Sequence, residues 1–337
     1  MIFLNNNIKI LLSQYDQKRT REINEAIKKR EDFFDKYPEV EKLDHDISSL
    51  GIKRVQLILR ANNKDEINRI NKRIEELKNE KKSILKKLNL SEKDFEPVFE
   101  CKKCSDTGYL STPSGSILCP CIKQALYNLE YNDSNIYDLK NQNFSNFDLT
   151  LYSDEINTSK YNSKFSPRDN VKSIVKTCRN FINNFDDSKE SNLLFCGSTG
   201  LGKTFLSSCI ANELIKNGKT VLYQTAPIML DKIIDYKFGK TDDDISKTIY
   251  SVDLLIIDDL GTETRNSLKI TELFNIINSR LLNQNNKVTK TIISTNLSLQ
   301  NLYDTYEERI VSRIIGNYNA CYFFGDDIRM KKKMAIK

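Results

Sequence analysis

Apolar positions in the first hundred residues are sparse, regularly spaced and surrounded by charge. Ile10, Leu11, Ile23, Ile27 and Phe34 recur at helical spacing over residues 1–36, which predicts an amphipathic helix ending near Pro38. A second helical stretch is expected after Gly51. From Ile67 the apolar positions Ile67, Ile70, Ile74, Leu77, Ile84 and Leu88 follow alternating steps of three and four, with Lys81 occupying one place in the row. That is a heptad seam. Its three heptads are short for a free-standing coiled coil, so two readings stay open: an intramolecular helical hairpin and a seam for a partner.

The pattern changes at residue 97, where Pro, Gly, Ser and Cys replace the Lys/Glu-rich helix, and changes again over 128–170, which is rich in Asn, Ser and Asp. From about Val171 apolar strands alternate with helical patterns, with strands expected near 192–196, 220–225, 253–257, 290–295 and 320–324. Such alternation predicts a mostly parallel five-stranded sheet covered on both faces, because parallel crossovers need helices to return the chain. The expected organisation is a helical region (1–96), a cysteine-bearing module (97–127), a linker (128–170), an α/β domain (171–330) and a basic tail (331–337).

Size and composition fit this picture. A chain of 337 residues with 39% hydrophobic content exceeds one typical domain and can bury a core without resembling a membrane protein. Three asparagines split the N-terminal apolar run "MIFLNNNIKILL", no small-residue cleavage site follows it, and no apolar run elsewhere approaches the roughly 20 residues of a bilayer span. A cytoplasmic protein is expected. The net charge of +6 permits contact with nucleic acid without demanding it. The one dense basic run, "RMKKKMAIK" at 329–337, reads as a solvated tail or as a phosphate-contacting one. The single histidine, His45, sits in a charged helical stretch, which argues against acid–base chemistry on histidine.

Candidate chemistry starts at residue 197. Gly197, Ser198, Thr199, Gly200, Leu201, Gly202, Lys203 and Thr204 satisfy G-x-x-x-x-G-K-[ST], follow the apolar strand "NLLFC" and open a helix at Thr204 and Phe205. This is the confirming context for a phosphate-binding P-loop. The glycines let backbone amides turn in around a β-phosphate, aided by the positive end of the helix. Lys203 is expected to reach the β- and γ-phosphates of ATP, and the Thr204 hydroxyl to ligate Mg²⁺. Cys196 reads as buried strand.

The metal needs an acidic partner, and "VDLLIIDDLGTE" offers one at the end of an apolar strand. Asp258 is expected to associate with Mg²⁺ and Asp259 to polarise the attacking water. Asp259 is one methylene shorter than the more usual glutamate, so slow turnover, or help from Glu263, is expected. "TKTIISTN" ends a strand at Asn296, a candidate for holding water or the γ-phosphate and otherwise a strand-end cap. In "EERIVSRIIG", Arg309 and Arg313 project from one helical face. Arg313 reads as an arginine finger for a neighbouring subunit's γ-phosphate, or as part of a surface ion-pair helix.

Cys101, Cys104, Cys119 and Cys121 form C-x₂-C-x₁₄-C-x-C. Two close pairs joined by a Gly/Ser/Pro-containing loop can surround one tetrahedral Zn²⁺ with no open position, making a structural site. A redox pair or an iron–sulfur cluster is the competing reading.

Taken together, the P-loop, the Asp-Asp-Leu-Gly-Thr-Glu run, the Ser-Thr-Asn strand end and the Ser-Arg pair resemble AAA+ ATPases of the initiator and helicase-loader group, near the DnaC/DnaI-type loaders. The likeness covers about 170–330, and the cysteine segment extends it toward the DnaI side. The resemblance implies a P-loop AAA+ domain behind a helical N-terminal region with a small zinc module. It implies ATP, Mg²⁺ and Zn²⁺ as cofactors, and a hexameric DnaB-type replicative helicase and single-stranded DNA as partners, with self-association through the AAA+ domain. Arg329 would be a sensor arginine on the nucleotide. IstB-like ATPases that assist a DNA transposase carry nearly the same motifs and form the alternative; a small-molecule kinase is a third reading, disfavoured because no acceptor pocket can be read.

Overall fold

The computed structural model describes residues 2–59, 64–129, 141–282 and 288–335. Parts of the expected linker (130–140) and basic tail (336–337) therefore lie outside the described residues. The chain divides into two compact units, Met1–Cys119 and Pro120–Lys337.

The first unit consists of helices α1 (Ile2–Lys36), α2 (Pro38–Leu59) and α3 (Lys64–Lys87), followed by a small hairpin of β1 (Tyr109–Thr112) and β2 (Gly115–Leu118). Gly51 lies inside α2 and does not precede a new helix; its backbone is not in the left-handed region. The heptad seam closes within the chain. Ile70, Ile74, Leu77, Lys81 and Leu85 are its buried positions, and pairs linking Asp44 to Lys81, Lys53 to Glu66 and Arg54 to Asn71 run α2 antiparallel to α3. Burial passes from the expected Ile84 to Leu85, which packs with Phe33 and Val40. Lys81 is tolerated in the row because its ammonium meets Asp44 at 2.5 Å and Glu92 at 2.7 Å, so the buried charge is paired.

The second unit opens with α4 (Pro120–Tyr127) and α5 (Thr158–Tyr161) and continues α6 (Pro167–Asn183), β3 (Asn192–Cys196), α7 (Lys203–Lys216), β4 (Val221–Thr225), α8 (Ala226–Lys237) and α9 (Ile245–Ser251). It ends β5 (Leu254–Leu260), α10 (Ser267–Leu282), β6 (Lys290–Thr295), α11 (Leu299–Thr305), α12 (Glu308–Asn317), β7 (Tyr318–Tyr322) and α13 (Ile328–Ala335). The five strands β3–β7 are parallel in the order β4-β5-β6-β3-β7. Because both faces are covered, the strands read as continuous apolar runs. Leu194, Leu222, Leu255, Ile257 and Ile293 enter one core with α8, α9, α10 and α12, while Leu193, Phe195, Leu254, Ile256 and Ile292 enter the other with α6 and α7.

Two strand ends differ from expectation, and both differences shape the site. β7 starts and stops two residues early, and the Phe323 N–H just past its end still donates to the Cys196 carbonyl of β3 at 2.7 Å. β5 runs on through Leu260, with an irregular register between Ile257 and Leu260 and with Asp259 in the left-handed region at φ 55°. A bulge of this kind re-aims side chains, and aspartate is among the few residues that tolerate that conformation. At the open edge, the Gln124 side chain of α4 accepts the Val221 N–H at 2.6 Å and donates to the Val221 carbonyl at 2.9 Å, so it pairs with β4 much as another strand would. No described helix is long and apolar enough to cross a membrane.

Candidate functional site

The carboxyl ends of β3, β6 and β5 lie side by side, where open α/β sheets place ligands. The loop after β3 bends through positive φ at Gly197, Gly200 and Gly202. All three are also crowded, Gly197 most strictly, since a Cβ there would lie 2.3 Å from the Phe323 backbone carbonyl oxygen. A Cβ on Gly200 would lie 2.1 Å from Asp327 Oδ1, and one on Gly202 would lie 2.5 Å from Tyr152 Oη. Lys203 follows at the start of α7, almost fully buried, with its ammonium donating to the carbonyls of Gly197 at 2.6 Å and Ser198 at 2.8 Å. Burial pulls its pKa down, opposed by the nearby carboxylates of Asp259 and Asp258.

One helical position on, the Thr204 hydroxyl donates to Asp258 Oδ2 at 3.0 Å. Asp258 is buried and accepts two further hydroxyls: Tyr223 Oη at 2.7 Å on Oδ2, and Ser294 Oγ on Oδ1. Burial, reinforced by Asp258, holds the Tyr223 phenol well above its ordinary pKa, so it remains a donor. Asp259 donates its backbone N–H to Ser294 Oγ at 3.0 Å, and burial followed by Asp258 pushes its carboxyl pKa up.

A cavity of about 280 Å³ opens over these groups. Its floor is the loop from Thr199 to Phe205 together with Asp259, and Ile328 and Arg329 close one side. The other wall comes from residues 146–152, in the stretch read as linker. The Phe147 ring lies tilted against that of Phe205, 5.5 Å between centroids, and Tyr152 donates to the Leu201 carbonyl at 2.9 Å. The chain after β7 grips the loop from outside, with the Ile328 N–H donating to the Gly200 carbonyl at 3.0 Å.

The structure gathers Gly197 to Phe205, Asp258, Asp259 and Arg329 in one place, leaves Asn296 outside the cavity lining, and commits Glu263 and Arg313 elsewhere. Asn296 is exposed just past the end of β6. Glu263 uses its carboxylate on the Gly261 N–H at 2.9 Å and on the Tyr306 hydroxyl, beside a separate small cavity. Arg313 lies on α12, away from the P-loop cavity. Its Nε donates to Asn278 Oδ1 and its Nη1 to the Arg309 carbonyl, both at 2.9 Å, while its guanidinium and that of Arg309 lie over the Phe274 ring.

In the cysteine segment, the four sulfurs of Cys101, Cys104, Cys119 and Cys121 lie within 4.8 Å of one another, and Cys101 Sγ is 3.8 Å from Cys119 Sγ. A tetrahedron with zinc–sulfur bonds of about 2.3 Å has edges of about 3.8 Å, so the donor set fits Zn²⁺. The knuckle is shaped by Asp106, whose carboxylate accepts the N–H groups of Glu100 at 2.9 Å and Cys101 at 2.8 Å. Ser105 and Asp106 turn it through positive φ. The remaining cysteines are buried in the second unit, where desolvation raises the thiols, Cys196 to about 11 and Cys209 and Cys321 to about 12.

Residues 158–334 match the family described as IstB-like ATP binding protein, more than half of the chain. The chain belongs to that family. Among curated relatives it is similar to the replicative helicase loader DnaC of Escherichia coli strain K12, 28% identical over 160 residues that make up 47% of this chain and 63% of that one. It is also similar to a putative insertion sequence ATP-binding protein of Sinorhizobium fredii, 25% identical over 151 residues, 42% of this chain and 58% of that one. These matches span less than two thirds of either relative. The solved structure of the DnaC helicase loader aligns over 56% of this chain and 99% of its own, with 22% identity and a TM-score of 0.44.

Tyr223 and Ser294, inside this IstB-like domain, and Phe147 and Tyr152, just before the matched residues, line or brace the site without having been singled out from the sequence. Tyr223 and Ser294 carry a signal in hindsight. Period-two alternation in "VLYQT" and "IISTN" puts both on the face of their strands that packs against α7. Phe147 and Tyr152 carry none, since they come from an irregular segment.

Proposed function

We propose that this chain is an ATP-binding and ATP-hydrolysing loader of a DnaB-type replicative helicase, in which the nucleotide state controls assembly with the helicase and with single-stranded DNA. The observation that carries this reading is the P-loop with Lys203 and Thr204 on the floor of the cavity and the buried Asp258 carboxylate hydrogen-bonded to Thr204 beneath them. The donor set suits the hard cation as well: a hydroxyl and a carboxylate oxygen 3.0 Å apart are oxygen ligands of the kind Mg²⁺ takes. Bound there, Mg²⁺ would supply charge neutralisation across the β- and γ-phosphates.

The chain's own groups do the rest. The P-loop amides cradle the phosphates, and the Lys203 ammonium turns from the Gly197 and Ser198 carbonyls to phosphate oxygens. Asp259 takes a proton from the attacking water. Asn296 orients that water or the γ-phosphate from the neighbouring strand end. Arg329 faces the nucleotide from the cavity wall. Arg313, directed away from its own cavity and braced by Asn278 and Phe274, is offered to the site of an adjacent copy. The four cysteines hold a structural Zn²⁺ in the N-terminal module, which with the helices before it contacts the helicase. That helical region and zinc module favour loading over transposition, and the DnaC relatives are named as helicase loaders.

The acid–base assignment has a direct consequence. Asp259→Asn is expected to lower single-turnover hydrolysis by about 10² to 10⁴, and Glu263→Gln to leave it within a few-fold, because Glu263 is committed to Gly261 and Tyr306. Loss in the glutamine variant with retention in the asparagine variant reverses the roles. For the function as a whole, affinity purification of the full chain from its host should recover the replicative helicase; recovery of a transposase instead establishes the transposition reading.

A further inference from the structure

We infer that Tyr223 and Ser294 are positioning residues for the metal-associated carboxylate, holding Asp258 from the two strands that flank it in the plane where it faces Thr204. The inference rests on the nucleotide reading of the site and adds to it the means by which its acidic group is aimed.

The geometry begins with strand order. β5 lies between β4 and β6, and Asp258 falls on the face of β5 that packs against α7, as do Ile256 and Leu254. On the same face Tyr223 projects from β4 and Ser294 from β6. Each gives its hydroxyl to a different oxygen of the carboxylate: Tyr223 to Oδ2 at 2.7 Å and Ser294 to Oδ1. Two donors, one on each oxygen and from opposite sides, fix the rotation of the carboxylate plane, which a single donor would leave open. The Thr204 hydroxyl then meets the same Oδ2 from α7.

Neither anchor is loose. Tyr223 and Ser294 are both fully buried, and Ser208, one helical turn beyond Thr204, donates its hydroxyl to the Tyr223 oxygen. Thr204 and Ser208 therefore touch the two ends of one chain of hydroxyls, Ser208 to Tyr223 to Asp258, along a single face of α7. On the other side Ser294 Oγ accepts the Asp259 N–H at 3.0 Å, so the hydroxyl that orients Asp258 also fixes the left-handed backbone at Asp259. Partners that orient a metal-associated carboxylate without touching the metal typically change metal affinity by about 10- to 100-fold when removed.

The test uses the full chain and its Tyr223→Phe, Ser294→Ala and Ser208→Ala variants, with two readouts. One is the Mg²⁺ concentration giving half-maximal hydrolysis at saturating ATP; the other is the affinity for a fluorescent ATP analogue in EDTA. Tyr223→Phe keeps the ring and removes only the donor, so half-saturating Mg²⁺ is expected to rise about tenfold while affinity in EDTA is unchanged. Ser294→Ala should raise it as much and also lower the hydrolysis rate at saturating Mg²⁺, because Asp259 loses its anchor. Ser208→Ala, one bond further away, should give a smaller rise of about two- to threefold.

An unchanged Mg²⁺ requirement in Tyr223→Phe overturns the inference, and so does a rise matched by equal losses of EDTA affinity and melting temperature, which marks a merely structural role. If Tyr223→Phe does not fold, Ser208→Ala decides, and an unchanged Mg²⁺ requirement there overturns the inference too. A wild-type chain that neither binds nor hydrolyses ATP with Mg²⁺ overturns the nucleotide reading and this inference together; a Mg²⁺-dependent wild type with unaffected variants overturns this inference alone.

Discussion

Lys203→Ala is expected to lower ATP hydrolysis by about 10² to 10³, the usual cost of removing one preorganised charge from a developing anionic transition state. The size of the effect follows from where the ammonium lies. It is 6% exposed, at the first position of α7, and within 2.8 Å of the two carbonyls that open the loop its own charge would help close around phosphate. Two acidic side chains, Asp259 and Asp258, raise its pKa against the burial that lowers it, so the site supports the charge it needs. The variant also leaves the Gly197 and Ser198 carbonyls without that donor. Melting temperature should therefore be measured beside single-turnover hydrolysis and equilibrium ATP binding. Hydrolysis within a few-fold of wild type, in a variant that folds, would remove the lysine from the mechanism.

The second large effect concerns the cysteine cluster. Structural zinc in small modules contributes on the order of 10 kcal/mol of apparent folding free energy, and the segment around Cys101–Cys119 is otherwise built on a hairpin of two four-residue strands and the Asp106 turn. A strong zinc chelator, or Cys104→Ser, is expected to release the metal and unfold this module. ATP binding should remain within about twofold of wild type, because local stabilities differ between cooperative units. Even Cys121, inside α4, has an anchor that needs no metal, since Gln124 one turn later is bonded to both backbone groups of Val221. Metal content by mass spectrometry, circular dichroism and nucleotide titration on the same sample check this. Loss of ATP binding together with the metal would show that the two are coupled.

The parallel sheet was legible because its strands are buried on both faces: "NLLFC" and "TIIST" read as apolar runs with loops at their ends, and all five strands were placed to within a few residues. The P-loop was legible because its spacing is set by phosphate geometry. The seam over Ile70 to Leu85 was visible, but whether it closed within the chain was not, as periodicity records a buried face and not what buries it. Lys81 was visible only as an interruption; its partners Asp44, on α2, and Glu92, past the end of α3, are set by the folding of the chain and not by its spacing.

Three kinds of feature escaped. The Asp259 bulge depends on a register irregularity between neighbouring strands, which "IIDDL" alone does not encode. The cavity wall at Phe147 and Tyr152 depends on an irregular segment whose Asn- and Ser-rich composition suggested a connector, yet whose aromatic residues pack on the phosphate loop. The three hydroxyls on Asp258 come from α7, β4 and β6, and only the strand order brings them together.

The central claim is that the nucleotide held at Lys203, Thr204 and Asp258 governs how this chain assembles with a helicase. Sedimentation of the purified full chain with a DnaB-type replicative helicase, in ATP, in ADP and without nucleotide, tests it most directly. The expected result is a complex whose stability differs between ATP and ADP, with Lys203→Ala behaving as wild type does without nucleotide. The same complex in all three conditions, under saturating ATP binding, or no complex in any of them, would contradict it.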